Sequence, residues 1–304
     1  MKVLVATEKP FAKAAVDGIR KIVEGAGFEL VLCEKYTDVQ QFYTAVADVD
    51  ALIVRSDKVT KEVIDHAKNL KIVVRAGAGY DNLDLAACTE RGIVAMNTPG
   101  QNSNAVAELA IGMAIYMYRN QFTPGTGHEL LGKKLGVHAY GNVGRHVARI
   151  AKGMGMEIYG YCRHKETIEK DGIKALASAE ELYSTCDIIS LHLPANKDTA
   201  ASINFELLNR MPKNGMVINT ARKEVIDEAG LAKMLAERED FMYASDIMPA
   251  NHAELAEKFG KRYFATPKKQ GAETAEANIN AGLASATQIV KFLKEGDRTF
   301  QVNK

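Results

Sequence analysis

The chain has 304 residues, of which 47% are hydrophobic, so it is long enough to bury one large core or two ordinary ones. Its 39 basic and 38 acidic residues nearly balance, and this charge favours neither nucleic acid nor a membrane surface as a partner. Four widely spaced cysteines form no metal-ligand pattern, and no apolar run is long enough for a signal or membrane segment. We therefore expect a cytoplasmic globular protein without a structural metal.

Ten short apolar segments alternate with helical patterns, which is typical of βαβ units on parallel sheets. The pattern predicts an α/β protein with two doubly wound parallel-sheet domains, Rossmann-like or flavodoxin-like, and a cleft between them. A long helix is predicted to begin near Ser103 or Asn104, and a last helix to cover Glu273 to Lys294. The predicted strands are residues 2–6, 29–33, 51–55, 72–75, 94–97, 134–138, 157–161, 188–192, 215–219 and 242–246.

A glycine turn follows the sixth predicted strand. Gly141, Asn142 and Val143 precede Gly144 and a helical run, and free N–H groups at such a helix start bind the pyrophosphate of a dinucleotide. Ala139 replaces the first glycine of the usual motif, and an ordinary tight turn is the alternative.

The tip of the next strand is unusual for a site that binds NAD. It carries Cys162 and Arg163 where an acidic residue usually binds the ribose hydroxyls. Arg163 can instead contact a 2′-phosphate, unless it is only a solvated surface charge. NADP is therefore possible as cofactor in place of NAD.

Several motifs, in order and at characteristic spacings, run along nearly the whole chain. With them the chain resembles the D-2-hydroxyacid dehydrogenases, and most closely the short 3-phosphoglycerate dehydrogenases without a regulatory domain. The motifs are Val54-Arg55-Ser56, Arg75-Ala76-Gly77-Ala78-Gly79-Tyr80-Asp81-Asn82, RGIVAMNTPG, NSNAVAELAIGMAI, the glycine turn, His192-Leu193-Pro194, Asn219-Thr220-Ala221-Arg222 and Gly271-Ala272-Glu273-Thr274.

The resemblance implies a homodimeric oxidoreductase that moves a hydride between NAD(H) and a D-2-hydroxy acid. The implied substrate is 3-phosphoglycerate or 3-phosphohydroxypyruvate, in the first step of serine biosynthesis. Residues 1–100 and 272–304 would form the substrate-binding domain, and residues 101–271 the dinucleotide-binding domain.

The resemblance also implies roles for individual residues. The substrate carboxylate would meet the backbone of Gly77, Ala78 and Gly79. Arg55 and Ser56 would lie at its phosphate, where Arg75 is a further candidate; ion pairs within the domain are the alternative for the two arginines. The implied cofactor-binding residues are Gly141, Asn142, Val143, Cys162, Arg163, Leu193, Pro194, Thr220, Ala221 and Asp246, the last at the nicotinamide amide.

Arg222 matches the family's catalytic arginine, but the family's histidine and glutamate are both missing. The histidine segment reads Thr266-Pro267-Lys268-Lys269-Gln270-Gly271-Ala272, one residue longer than usual, and Asn251 stands at the glutamate position. We expect a lysine to donate the proton, with Lys269 favoured over Lys268 and Asn251 orienting groups nearby. His252 and Glu254 are the alternative donors.

Two other functions remain open at this stage. The Cys162-Arg163 tip fits a glyoxylate or hydroxypyruvate reductase that uses NADPH. The two changed catalytic positions fit a non-catalytic protein that senses dinucleotides, because a fold does not imply catalysis.

Overall fold

A computed structural model describes residues 1–303. The chain divides into two compact units, the first formed by Met1–Asn102 with the C-terminal segment from Thr274, and the second by Ser103–Glu273. These divisions fall two residues after the predicted boundaries. The two predicted parallel sheets are confirmed, one in each unit.

The first unit contains a five-stranded parallel sheet in the order β2-β1-β3-β4-β5, as in flavodoxin-like folds. The third strand is buried throughout and the first almost so, because helices cover both faces of such a sheet. The strands are β1 (Lys2–Thr7), β2 (Glu29–Glu34), β3 (Ala51–Val54), β4 (Ile72–Arg75) and β5 (Val94–Asn97). The helices are α1 (Lys13–Gly25), α2 (Val39–Val46), α3 (Lys61–His66) and α4 (Leu85–Glu90).

The second unit contains a seven-stranded parallel sheet in the order β12-β11-β10-β9-β6-β7-β8, which includes the doubly wound Rossmann arrangement. The strands are β6 (Lys134–His138), β7 (Glu157–Tyr161), β8 (Lys174–Ala175), β9 (Ile188–Leu191), β10 (Met216–Asn219), β11 (Met242–Ser245) and β12 (Tyr263–Ala265). The helices are α5 (Ser103–Tyr118), α6 (Asn142–Gly153), α7 (Lys165–Glu169), α8 (Ala179–Thr185), α9 (Phe205–Leu208), α10 (Glu228–Glu237) and α11 (His252–Phe259), with 3₁₀ turns at Asn120–Phe122, Lys223–Val225 and Gly260–Arg262.

The last helix, α12 (Ala275–Glu295), belongs to the first unit. The Thr274 hydroxyl caps its start by accepting a hydrogen bond from the N–H of Ala277 at 3.1 Å, and Gly296 ends it in the left-handed conformation. Ala281, Ala286 and Ile289 pack into the same core as β1. Burial of this face therefore ties the end of the chain to its beginning.

No helix among residues 1–303 is both long enough and apolar enough to span a membrane. The same residues contain no cluster of three or more His, Cys, Asp or Glu side chains that could hold a metal ion. All four cysteines are free thiols.

Candidate active site

The turn between β6 and α6 has the geometry of a dinucleotide-binding loop. Ala139 adopts a positive φ of 73°, the conformation for which glycine is normally required. A Cβ atom on Gly144 would lie 2.8 Å from the carbonyl oxygen of Ala139, whereas one on Gly141 would meet nothing within 4 Å. Gly144 therefore lets helix and strand approach closely, and Gly141 leaves open space above the start of α6.

A cavity of about 630 Å³ lies in the second unit at the carboxyl ends of β6 and β7. Five predicted cofactor residues line it, together with several that the sequence reasoning did not select. The predicted ones are Gly141, Cys162, Arg163, Leu193 and Pro194; the additional ones include Tyr140, Asn196 and Thr199. Asn142 and Val143 form the first turn of α6 beside it. Tyr140 directly precedes Gly141, which is the only signal by which it could have been found.

The tip of β7, which lines this cavity, carries no carboxylate. The Cys162 thiol donates a hydrogen bond to the carbonyl oxygen of His164 at 3.1 Å. Arg163 is exposed and makes no hydrogen bond or ion pair among residues 1–303. Glu180 and Asp198 line other parts of the same cavity, so the lack of a carboxylate is confined to the tip of β7.

Thr220 and Ala221 follow β10, and both are buried. The Asn219 side chain, which is fully buried, fixes this turn by accepting a hydrogen bond from the N–H of Ala221 at 3.0 Å and donating one to the carbonyl oxygen of Arg222 at 3.0 Å. The Thr220 hydroxyl oxygen is buried without a hydrogen-bond partner among the described residues. A buried hydroxyl without a partner fits a site completed by a ligand.

Arg222 is exposed at the end of this turn. One of its terminal nitrogens donates to the carbonyl oxygen of Ala221 at 2.8 Å, and no carboxylate within residues 1–303 forms a salt bridge with it. Arg222 is therefore not an arginine held by a salt bridge at the end of a strand. Its positive charge is available for an anionic ligand.

Lys268 and Lys269 are exposed on a loop after β12 that we call the lysine loop, residues 266–271. Asn251 directly precedes α11, and its side-chain oxygen is buried without a hydrogen-bond partner in the described part of the chain. The orienting hydrogen bonds expected of Asn251 are thus not formed within residues 1–303. The His252 ring, one residue on, is paired with the Tyr263 hydroxyl at 2.9 Å.

Asp246 follows β11, and its carboxylate is fully buried. It accepts hydrogen bonds from the Thr266 hydroxyl at 2.9 Å and from the N–H groups of Gln270 and Gly271, each at 2.8 Å. The carboxylate thus contacts the lysine loop, and its expected contact with a nicotinamide amide stays a prediction.

In the first unit, the ends of β3 and β4 carry two neighbouring arginines. The Nε of Arg75 donates to the carbonyl oxygen of Arg55 at 3.0 Å, and neither arginine forms a salt bridge among residues 1–303. Burial, and then the positive charge of Arg55, lower the pKa of Arg75. Ion pairing within the domain, the alternative weighed above, is therefore not observed.

Arg55 itself is held in place from several sides. Its guanidinium donates to the carbonyl oxygens of Lys9 at 3.2 Å and Pro10 at 3.1 Å, and to the Asn278 side-chain oxygen at 2.6 Å. It also lies over the Phe11 ring, 5.2 Å from the centroid. Asn278 is 223 residues away in sequence, so no sequence pattern could have identified it.

The side chain of Arg75 donates its hydrogen bond through Nε, and its terminal nitrogens are not used in this bond. They pack over Gly77, where a Cβ atom would force the guanidinium to move, and the φ of 154° at this position favours glycine. The N–H of Gly77 donates to the carbonyl oxygen of Arg75 at 2.9 Å. In this arrangement it does not offer the hydrogen bond to a substrate carboxylate that the sequence analysis expected. The N–H groups of Ala78 and Gly79 have no partner among residues 1–303, and Ser56 is exposed beside Arg55.

Comparison with known proteins identifies the family. Residues 115–268 match the model of the D-isomer specific 2-hydroxyacid dehydrogenase NAD binding domain. The chain belongs to the D-isomer specific 2-hydroxyacid dehydrogenases. Within this family, the glycine turn and the cavity beside it lie in the NAD binding domain.

Three relatives illustrate the similarity. The structure of an NAD⁺-bound 3-phosphoglycerate dehydrogenase from Entamoeba histolytica is 49% identical, with a TM-score of 0.84, and the match covers 100% of this chain and 99% of that one. A D-3-phosphoglycerate dehydrogenase from Methanocaldococcus jannaschii is 37% identical over 84% of this chain, which spans only 52% of that protein. A hydroxypyruvate reductase from Thermotoga maritima is 34% identical, over 87% of this chain and 92% of that protein.

Proposed function

We propose that this chain is an NAD(H)-linked oxidoreductase acting on D-3-phosphoglycerate and 3-phosphohydroxypyruvate, the first step of serine biosynthesis. The observation that carries this proposal is the pair Arg55 and Arg75, two neighbouring cations with no salt-bridge partner among residues 1–303. Two like charges in a partly buried place repel each other, and a bound anion relieves that cost. A guanidinium fork matches the oxygens of a phosphate group.

Arg75 is the better placed of the two for direct phosphate contact. The terminal nitrogens of Arg55 donate hydrogen bonds to Lys9, Pro10 and Asn278. In Arg75, by contrast, only the Nε donates a hydrogen bond. In this proposal Arg55 supplies charge and fixes Arg75, with Ser56 adding a hydroxyl. The N–H groups of Ala78 and Gly79 receive the substrate carboxylate.

The second unit fits NAD on its own geometry. The open space at Gly141 and the close packing at Gly144 are features of a dinucleotide-binding turn, and the unpartnered hydroxyl of Thr220 fits a ligand beside it. When bound, the cofactor supplies or accepts the hydride at the 2-position of the substrate. Gly141, Asn142 and Val143 would face its pyrophosphate, and Thr220 and Ala221 would lie beside it.

Side chains of the second unit stabilise the developing charge and donate the proton. Negative charge grows on the carbonyl oxygen of the keto acid as it is reduced, and Arg222 stabilises that charge. Lys269 then donates the proton that completes the alcohol, with Lys268 as the alternative donor. A lysine is already protonated at neutral pH, so it does not need the carboxylate partner that a histidine donor requires.

The test is a panel of 2-keto acids followed by NADH absorbance. We expect purified protein to consume NADH with 3-phosphohydroxypyruvate at a kcat/KM at least about tenfold above that for hydroxypyruvate, glyoxylate or pyruvate. Equal efficiency with hydroxypyruvate would assign the protein to the unphosphorylated substrate. No turnover with any of them would favour a dinucleotide-sensing role without catalysis.

A second candidate, hydroxypyruvate reduction with NADPH, is favoured by the exposed Arg163 beside Cys162. The absence of a carboxylate at the tip of β7 removes the repulsion that a 2′-phosphate normally meets there. We expect measurable activity with NADPH, and we expect Cys162→Asp to lower kcat/KM for NADPH more than for NADH. Strict rejection of NADPH by the wild type would show that Arg163 does not face the ribose.

We further propose that the protein is a cytoplasmic homodimer. Four free thiols support a reducing compartment, and Phe122 and Leu131, exposed by 70% and 69% on the second unit, support an interface there. Light scattering of the wild type should give twice the monomer mass. Phe122→Glu should lower the measured mass. A monomeric wild type would refute the dimer.

A further inference from the structure

Two successive carbonyl groups of the loop after β4 are held by the end of β5. The carbonyl oxygen of Gly77 accepts a hydrogen bond from the N–H of Thr98 at 3.0 Å. The carbonyl oxygen of Ala78 accepts one from the side-chain amide nitrogen of Asn97 at 2.6 Å. Asn97 lies opposite Arg75 in the register of the two strands, so it stands beside the loop that follows Arg75. Both carbonyl groups are therefore directed towards the same strand end.

This arrangement determines where the next two N–H groups point. Among residues 1–303 there is no cis peptide bond, and in a planar trans peptide the C=O and N–H bonds point in opposite directions. The N–H of Ala78 shares a peptide with the carbonyl group of Gly77, and the N–H of Gly79 shares one with the carbonyl group of Ala78. Both N–H groups therefore point away from the end of β5, and neither has a partner in the described part of the chain.

Residues 77–79, which we call the anion loop, leave room for a ligand at these N–H groups. The one side chain in the loop is the methyl group of Ala78, which is exposed. A Cβ atom on Gly79 would meet no atom closer than a carboxylate oxygen of Asp81, at 3.6 Å. The guanidinium of Arg75 packs against Gly77 and adds positive charge. Two adjacent N–H groups that point the same way beside a cation form a site for an anion.

Asn97 is a polar residue in a strand that is otherwise apolar. All four residues of β5 are buried, and Asn97 itself is only 8% exposed. A buried amide without a partner costs free energy, so a polar side chain at this position requires a hydrogen bond. The bond to the carbonyl oxygen of Ala78 supplies it. The side chain is therefore committed to the anion loop.

We propose that Asn97 is a positioning residue: by holding the carbonyl group of Ala78, it directs the N–H groups of Ala78 and Gly79 towards the carboxylate of the substrate. Asn97 acts through the peptide and does not contact the substrate. The inference rests on the proposed function for the identity of the substrate. The need for a carboxylate is independent of the phosphate.

The first experiment compares ligands with and without a carboxylate. 3-Phosphoglycerate and glycerol 3-phosphate form one pair, and D-glycerate and glycerol form a second pair without phosphate. Calorimetry with saturating NADH avoids turnover. Asn97→Leu removes the donor at similar volume, and we expect it to weaken 3-phosphoglycerate at least about tenfold and glycerol 3-phosphate less than about twofold. Asn97→Ser, whose side chain is shorter, is a milder variant that should weaken 3-phosphoglycerate at least about threefold.

Asn303→Ala is the matched control, because Asn303 is the other buried amide side chain that holds β5. It accepts from the N–H of Ala95 at 2.8 Å and donates to the carbonyl oxygen of Ile93 at 2.8 Å. We expect Asn303→Ala to lower the Tm but to change 3-phosphoglycerate affinity by less than about twofold. An equal loss of 3-phosphoglycerate affinity in Asn303→Ala and Asn97→Leu would overturn the proposal, because a general loss of stability would then explain both. Equal weakening of 3-phosphoglycerate and glycerol 3-phosphate in Asn97→Leu would also overturn it.

The second experiment measures hydrogen–deuterium exchange of the Ala78 and Gly79 amides. In the wild type, saturating 3-phosphoglycerate should slow their exchange at least about fivefold, and glycerol 3-phosphate should not. The protection should be smaller in Asn97→Ser. Unchanged exchange in the wild type with 3-phosphoglycerate bound would contradict the proposal even if no variant at Asn97 folds.

The second ligand pair distinguishes failure of this proposal from failure of the proposed function. If the wild type binds D-glycerate as tightly as 3-phosphoglycerate, the phosphorylated substrate is refuted, and D-glycerate against glycerol still tests Asn97. Absence of binding for both carboxylates would overturn the role of Asn97 as well.

Discussion

Lys269 and Lys268 are neighbours on the lysine loop, and the proposed mechanism distinguishes them. General acid catalysis is typically worth 10²- to 10⁴-fold, so Lys269→Ala should lower kcat by about that factor while NADH affinity stays nearly constant. Lys268→Ala is the matched control and should lower kcat by less than about fivefold. If the two variants lose equal activity, Lys269 is not the specific donor.

The pH profile provides a second test of the same residue. A lysine has a reference pKa of about 10.4 against about 6.5 for histidine, so reduction should keep its rate to higher pH than a histidine donor allows. His252→Ala should leave this profile unchanged, since the His252 ring is paired with the Tyr263 hydroxyl. An alkaline limb that disappears in His252→Ala would place the proton donor beside Asn251.

His138 links stability to pH. Burial lowers the pKa of this histidine to about 4, from an ordinary value of 6.5. Between these values the unfolded chain binds a proton that the folded protein does not, so the free energy of unfolding falls as the pH drops from 6.5 to 4. The contribution reaches about 3 kcal/mol.

Urea unfolding of wild type and His138→Gln at a series of pH values measures this contribution. The wild type should lose about 3 kcal/mol relative to the variant between pH 6.5 and pH 4, and nothing further below. A constant difference between the two proteins would mean that His138 is protonated in the folded state.

Residue types could be predicted from sequence better than residue partners. Arg55, Arg75 and Arg222 were identified as candidate cations, but the sequence left ion pairing open for the first two. The structure shows that none of them forms a salt bridge among residues 1–303. Contacts such as Arg55 with Asn278, or Asp246 with Gly271, depend on how distant segments fold together, and no local pattern records them.

At the scale of elements, the glycine turn is the feature most sensitive to substitution. Gly144→Ala would place a methyl group 2.8 Å from the Ala139 carbonyl oxygen, and we expect it to lower the free energy of unfolding by about 1–3 kcal/mol and to weaken NADH binding. Ala139→Gly is the control. It relieves a left-handed alanine but adds freedom to the unfolded chain, so stability should change by less than about 1 kcal/mol.

Thermal unfolding and NADH titration of the two variants test this account. If Gly144→Ala binds NADH as well as the wild type does, the close approach of α6 to β6 is not needed for cofactor binding.

All ten predicted strands are present, whereas β8 and β12 were missed. β8 has two residues and β12 has three, and both lie at an edge of the sheet. Such short edge strands carry too few residues for a periodic pattern to be recognised. Strands buried on both faces, such as β3 and β10, read as continuous apolar runs and were predictable.

At the scale of the molecule, alternating strands and helices were sufficient to predict two parallel sheets. The order of the strands within each sheet could not be predicted from the local sequence pattern, because it depends on which side of the sheet each connection takes. The first unit has the flavodoxin-like order and the second includes the Rossmann order, so both of the predicted fold types occur in one chain.

The central claim is that Arg55 and Arg75 select a phosphorylated keto acid, and the most direct test is the ratio of kcat/KM for 3-phosphohydroxypyruvate over hydroxypyruvate. This ratio should exceed about 10 in the wild type and should fall by at least about tenfold in Arg75→Ala and by a smaller factor in Arg55→Ala. NADH affinity should stay unchanged in both variants. A ratio that remains the same in Arg75→Ala and Arg55→Ala would contradict the claim that these arginines bind the substrate phosphate.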